Sequence, residues 1–150
     1  MTRLATITTD AAGSARWRSD AVSVDVLVLP EPCYRCGTIT RSIVGFLIPP
    51  DLTEHPDGFV DFEVLAPLLV QAVTAAQLAR WGVGPLKIRR SRYRPEGYLS
   101  NGCISCDAIQ GSFPLHEDLM EFLSEGGRFE ELIIGRWGVR RADVQRVTTC

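Results

Sequence analysis

Four cysteines in two short pairs carry the clearest chemistry of this chain: Cys33-Tyr34-Arg35-Cys36 and Cys103-Ile104-Ser105-Cys106. The two-residue gap lets both thiols of a pair point into one site from a single tight turn. Four thiolates together satisfy the tetrahedral demand of a zinc ion. The pairs therefore read as two half-sites that the fold brings to one metal, with Cys33, Cys36, Cys103 and Cys106 as ligands. One C-x-x-C alone is a weak signal, and two form a much stronger one. The 66 residues between Cys36 and Cys103 exceed the ~15–20 of compact zinc ribbons. Loop-closure entropy grows only with the logarithm of length, so the insertion costs little. The metal offsets that cost, because binding free energy at a structural site is also folding free energy.

A redox dithiol wants its C-x-x-C at a helix N-terminus, where thiolates are stabilised. Here Pro32 precedes the first pair and the surroundings read as β. An iron–sulfur cluster takes the same ligand type, and His55 or His116 is a candidate replacement for one cysteine. A closed four-sulfur site has no open coordination position, which argues against zinc catalysis. His116-Glu117-Asp118 reads as the acidic start of a helix rather than as an acid–base centre, since nothing places a nucleophile beside it. Asn101 and Gln110 flank the second pair and are candidate hydrogen-bond donors to its thiolates. The fifth cysteine, Cys150, is the last residue and reads as a terminal thiol outside the site.

A basic stretch adjoins the second pair: Lys87, Arg89, Arg90, Arg92 and Arg94, with Tyr93 and Tyr98 interleaved. Guanidinium groups grip phosphate and tyrosines stack on bases, so a nucleic-acid contact is one reading. A solvated edge strand, whose charges discourage edge-to-edge pairing, is the plainer one. The net charge of -2 gives no whole-molecule attraction to nucleic acid, which favours the plainer reading. A protein-binding surface competes for the same patch.

The elements that must position these residues follow from periodicity. Val22, Val24, Val26 and Val28 alternate with Ser23, Asp25, Leu27 and Leu29, a strand whose far end is apolar on both faces. Pro30 and Pro32 end it just before the first pair. Thr38 to Ile48 is again β-rich, so strand, cysteine turn and returning strand make a zinc-ribbon-like hairpin. Leu65, Leu68, Leu69, Ala72, Val73 and Ala76 keep helical spacing and predict one helix over about 64–81, with Pro67 inside its first turn. Leu86 to Arg94 reads as an edge strand, Leu115 to Leu123 as a helix, and Phe129 to Ile134 as a last strand. Residues 1–20 are expected to be a mobile leader, with Trp17 packed back or exposed. Residues 136–150 are expected to be a basic, partly ordered tail. Between them, 21–135 reads as a single α+β domain with a small β-sheet and at least two packed helices.

The chain has 150 residues, 45% of them apolar and 23% charged. That balance excludes global disorder and allows one sizeable core. No stretch approaches the ~20 apolar residues of a membrane span, and the N-terminus lacks the apolar run of a secretory signal. A cytoplasmic protein is the expectation, and there paired cysteines serve metals more often than disulfides.

Gly84-Pro85-Leu86-Lys87, together with Tyr98-Leu99-Ser100-Asn101-Gly102-Cys103-Ile104-Ser105-Cys106-Asp107-Ala108-Ile109-Gln110-Gly111-Ser112-Phe113, resembles a segment of a group of bacterial proteins with two C-x-x-C zinc knuckles. In that group the second knuckle is followed by A-x-Q-G-x-F. The resemblance covers roughly residues 24–124 and implies a zinc-binding fold with the same four cysteines as ligands. It implies no activity. This chain departs from the group at Ser105, where a bulkier residue is usual, and at Ser112, where an acid is usual. Taken together, the sequence points to a structural zinc-binding protein acting through a surface that binds a protein partner. The alternatives are a nucleic-acid-associated zinc-ribbon module using 87–94, and a redox or hydrolytic enzyme.

Overall fold

The computed structural model describes residues 20–149. Its centre is an antiparallel sheet in the order β3-β2-β1-β7. Strands β1 (Ala21–Pro32), β2 (Ile39–Leu47) and β3 (Phe59–Asp61) are joined by the first cysteine turn and a loop; β7 (Ile133–Arg140) pairs on the far side of β1. The alternation in β1 sorts its side chains. Val24 and Val26 enter one core with Ile43, Phe46, Leu65, Leu69 and Val144. Leu27 and Leu29 enter the other with Val44, Leu47, Leu115, Leu119, Phe129 and Leu132. The first core is roofed by α1 (Phe62–Ala72), α2 (Ala75–Arg80) and α4 (Arg141–Thr148); the second by α3 (Ser112–Ser124) and a 3-10 turn, Phe129–Leu132. The fold is α+β, a sheet between two helical layers. Both neighbours of β1 shift register beside Leu27, and such bulges sharpen the local twist.

A second, three-stranded ribbon, β4 (Lys87–Arg89), β5 (Tyr98–Gly102) and β6 (Ile109–Gln110), is antiparallel throughout. Its attachment follows from an accounting rule: buried backbone donors and acceptors must find partners. β3 pairs only with Gly45–Leu47, so the first half of β2 has an open edge. Two contacts satisfy its backbone, and a third reaches a β2 side chain. The Arg41 N–H donates to the Gly82 carbonyl at 3.0 Å. The Ile43 N–H donates to Asn101 Oδ1 at 2.8 Å, and Asn101 Nδ2 donates back to the Ile43 carbonyl at 3.0 Å. The Ile104 N–H donates to Thr40 Oγ1 at 3.0 Å. These bonds set the ribbon, and with it the second cysteine pair, against the strand that leaves the first pair.

Several boundaries differ from the sequence expectations. The helix expected over 64–81 is two helices, α1 and α2, broken at Val73 and Thr74. Thr74 starts a new helix because its hydroxyl accepts the Gln77 N–H while Gln77 Oε1 accepts the Thr74 N–H, a reciprocal cap. α1 begins earlier, at Phe62, so Pro67 stands inside the helix rather than in its first turn. Phe129–Leu132 is a 3-10 turn and the last strand begins at Ile133.

The largest difference is the region read as a basic tail, which is mostly β7 and α4. Its arginines and glycines dilute the apolar pattern, yet Val139 and Val144 are buried. Arg136 pairs with Asp25 at 2.9 Å, and Arg141 pairs with Asp51. The leader and Cys150 lie outside the described residues, apart from the exposed Asp20. Among the described residues no helix is long and apolar enough to cross a membrane.

The fully buried Val144 gives a test of the C-terminal segment. Val144→Asp is expected to lower unfolding free energy by about 3 kcal/mol or more, the scale of burying an unpaired polar group. Urea denaturation followed by tryptophan fluorescence measures it. A change within about 0.5 kcal/mol, typical of exposed sites, would mean that the segment is not part of the core.

Candidate metal centre

The two cysteine turns are built alike. In the first, Pro30 and Pro32 end β1, the Cys33 N–H donates to the Thr38 carbonyl at 2.9 Å, and the Gly37 N–H donates to the Cys33 carbonyl at 2.9 Å. In the second, the Cys103 N–H donates to the Ala108 carbonyl at 2.9 Å and the Asp107 N–H to the Cys103 carbonyl at 3.0 Å. The residue after the last cysteine of each pair takes a left-handed backbone, Gly37 at φ 79 and Asp107 at φ 67. Glycine does so freely, and aspartate is one of the few other residues enriched there. A turn of this shape directs both thiols and the following N–H groups to one side.

The four sulfurs converge. Cys33 Sγ lies 3.7 Å from Cys106 Sγ, and Cys36 Sγ lies 3.6 Å from Cys103 Sγ. All four lie within 4.8 Å of one another. Both of these contacts run between the turns, so each half-site completes the other. Cys33 and Cys103 are buried, 3% and 1% exposed, whereas Cys36 is exposed and Cys106 is partly so. Cys33 Sγ accepts the Arg35 N–H at 3.3 Å and Gln110 Nε2 at 3.5 Å. Cys103 Sγ accepts the N–H groups of Ser105 at 3.3 Å and Cys106 at 3.5 Å.

These donors steer ionisation. The Cys36 N–H, against the opposing effect of burial and aided by the Arg35 N–H, holds the Cys33 thiol down to about 6. The side chain and then the backbone of Thr38 lower Cys36. The Ala108 N–H pulls Cys106 down, but burial and the neighbouring sulfurs push it up to about 11. Four thiolates cannot share so small a volume without a cation among them, and this donor set can hold one metal ion.

The basic stretch beside the second turn divides into separate roles. Arg89 is buried: Nη1 donates to the Ser100 carbonyl at 2.8 Å, and Nη2 donates to the Pro85 carbonyl at 2.8 Å and to Asp107 Oδ1 at 2.6 Å. Its Nε is the one buried side-chain polar atom without a partner among the described residues. Lys87 Nζ reaches Asp107 Oδ2 at 2.8 Å. Lys87 and then Arg89 hold the Asp107 carboxyl below the usual carboxylate range.

Glycines make this packing possible. A Cβ on Gly102 would fall 2.1 Å from Arg89 Nη2, and one on Gly84 would fall 2.3 Å from the Gly102 carbonyl oxygen. Arg94 lies over the Tyr98 ring at 4.2 Å and 3.8 Å from Glu63. Arg90, Arg92 and Tyr93 stay on the surface, Tyr93 at 86% exposure.

Of the two flanking amides, Gln110 points to a cysteine sulfur, while Asn101 spends its amide on Ile43. His55 and His116 are outside the sulfur cluster. His55 stands edge-on to Phe59 and Phe129. His116 lines a cleft of about 330 Å³ between the starts of α1 and α3, with Asp61, Glu63 and Phe113. Asp118 sits beside Glu31, whose carboxyl is pushed up to about 7 by burial and then by Asp118.

No local pattern marks the roles of Thr40 and Gly84, whereas Asp107 occupies the place in the second turn that Gly37 holds in the first. Comparison with protein-family models, curated proteins and solved structures finds no match.

The pKa directions predict how metal affinity depends on pH. Cys106, protonated at neutral pH, gives up its proton on binding, and Cys33 does so only below about 6. Binding therefore competes with one more proton below that pH. The plot of log affinity for zinc against pH is expected to steepen by about one unit as pH falls through about 6. Competition against a chromophoric chelator measures it, and an unchanged slope would contradict the assignment.

Proposed function

We propose that this chain is a structural zinc-binding protein that acts through a surface for a protein partner. The observation that carries the zinc reading is the spacing of the four sulfurs. A tetrahedral zinc ion with sulfur at about 2.3 Å separates its ligands by about 3.8 Å, close to the 3.6 and 3.7 Å contacts between the turns. A multi-iron cluster spreads its cysteines around several metal ions, and sulfurs all within 4.8 Å favour a single ion. Bound zinc supplies a crosslink between the hairpin and the ribbon and neutralises thiolate charge. Four sulfurs leave it no open position, which supports a structural role over a catalytic one. The resemblance to bacterial proteins with two zinc knuckles belongs to the same proposal.

Exposed apolar side chains at the metal end support the binding surface: Tyr34, Ile39 and Ile104 are 72%, 62% and 37% exposed. Tyr34 and Ile104 lie inside the two cysteine turns, so the metal fixes the backbone that presents them. Tyr93 and the surface arginines Arg90 and Arg92 favour a second reading, a nucleic-acid contact. Lys87, Arg89 and Arg94 add less to it, since each has an acidic neighbour.

Elemental analysis of purified protein is expected to give about one zinc per chain; less than half would overturn the zinc reading, and one iron in its place would replace the metal. Chelation should expose reactive thiols without any reductant. For the second reading, binding to single-stranded DNA at low salt, reduced in an Arg90→Ala/Arg92→Ala variant and falling steeply with salt, is the expected signature. No binding at low salt would remove that reading.

A further inference from the structure

We propose that Cys36 is an oxidation site, at which a hydroperoxide opens the metal centre and leaves disulfides between the two turns. The proposal rests on the metal–thiolate reading and adds how the site is released. The four sulfurs differ in access: Cys33 and Cys103 are buried, Cys106 is partly exposed and Cys36 is exposed. Oxidation selects the accessible thiolate. The sulfur placed to resolve the product belongs to the opposite turn, Cys103 Sγ at 3.6 Å from Cys36 Sγ. The remaining pair, Cys33 and Cys106, stands at 3.7 Å, again across the turns.

The electron count closes. The Cys36 thiolate attacks one oxygen of hydrogen peroxide and the O–O bond breaks. This gives a sulfenic acid and hydroxide, which takes a proton to become water. Cys103 thiolate then attacks the Cys36 sulfur, an S–S bond forms, the S–O bond breaks, and hydroxide leaves and is protonated. Cysteine sulfur is oxidised by two electrons and the peroxide is reduced. The same sequence at Cys106 and Cys33 consumes a second peroxide. In total, four thiolates, two peroxides and four protons yield two disulfides and four waters, and the metal ion departs as its donors are consumed.

Pairing across the turns has a consequence that pairing within a turn would not have. A Cys36–Cys103 bond ties the hairpin to the ribbon, as the metal does. The oxidised chain therefore loses its ion while the ribbon stays docked on the edge of β2. A Cys33–Cys36 bond would close one short turn and leave the ribbon held only by its hydrogen bonds.

The test uses the full, metal-loaded chain, with hydrogen peroxide as probe. Metal content is measured first, then metal release by a metallochromic dye and disulfides by non-reducing peptide mapping. The expected result is metal release in step with a Cys36–Cys103 crosslink as the first product, followed by Cys33–Cys106. A dimedone probe added with the peroxide should label Cys36 ahead of the other three cysteines, and labelling of a buried cysteine first would overturn the proposal. First products within one turn, or metal retained in excess peroxide, would overturn this proposal alone. Absence of metal before peroxide would overturn the zinc reading with it.

Discussion

The open edge of β2 is the constraint on which the rest depends. A strand paired on one side only must satisfy the N–H and C=O groups of its other side. β3 is too short to do so, ending its pairing at Gly45. Asn101 completes the task with a side chain that imitates a backbone peptide, accepting from the Ile43 N–H and donating to its carbonyl. The Arg41 and Ile104 bonds extend the seam. Because Asn101 lies two residues before Cys103 on β5, and Ile43 lies on the strand leaving Cys36, closing the edge also closes the sulfur site. A segment 66 residues removed in sequence is thus brought into register by hydrogen bonding, and a metal ion held by the four sulfurs would add a crosslink to a docking already specified.

Charge around the second turn obeys the same economy. Asp107 sits where a glycine would be conformationally easiest and uses its carboxylate to hold Lys87 and Arg89. A buried guanidinium needs such a partner, because leaving a charge unpaired in a low-dielectric setting is costly. The stretch that looks like a basic patch in sequence is therefore partly internal scaffolding. Gly84 and Gly102 supply the room for it, one against a backbone carbonyl and the other against the guanidinium itself.

The four sulfurs of the cluster differ in exposure. Cys33 and Cys103 are buried and each accepts a backbone N–H of its own turn, while Cys36 is exposed. Tyr34 and Ile104 are exposed within the two turns that carry these cysteines.

The sequence by itself determined the two half-sites, the β1 alternation, the hairpin and the α+β class, because each rests on local spacing: two residues between thiols, period two along a strand, 3.6 along a helix. It also placed Gln110 beside the cysteines. Only the tertiary structure decided that residues 136–148 form an edge strand and a core helix, since their buried side chains are few and set among arginines and glycines. It alone sent Arg89 inward and left Arg90 and Arg92 outside, a choice fixed by where Asp107 and Gly102 stand. It alone brought Cys33 to Cys106 and Cys36 to Cys103, because contacts over 73 and 67 residues depend on which sheet edge remains open, and no local pattern records that.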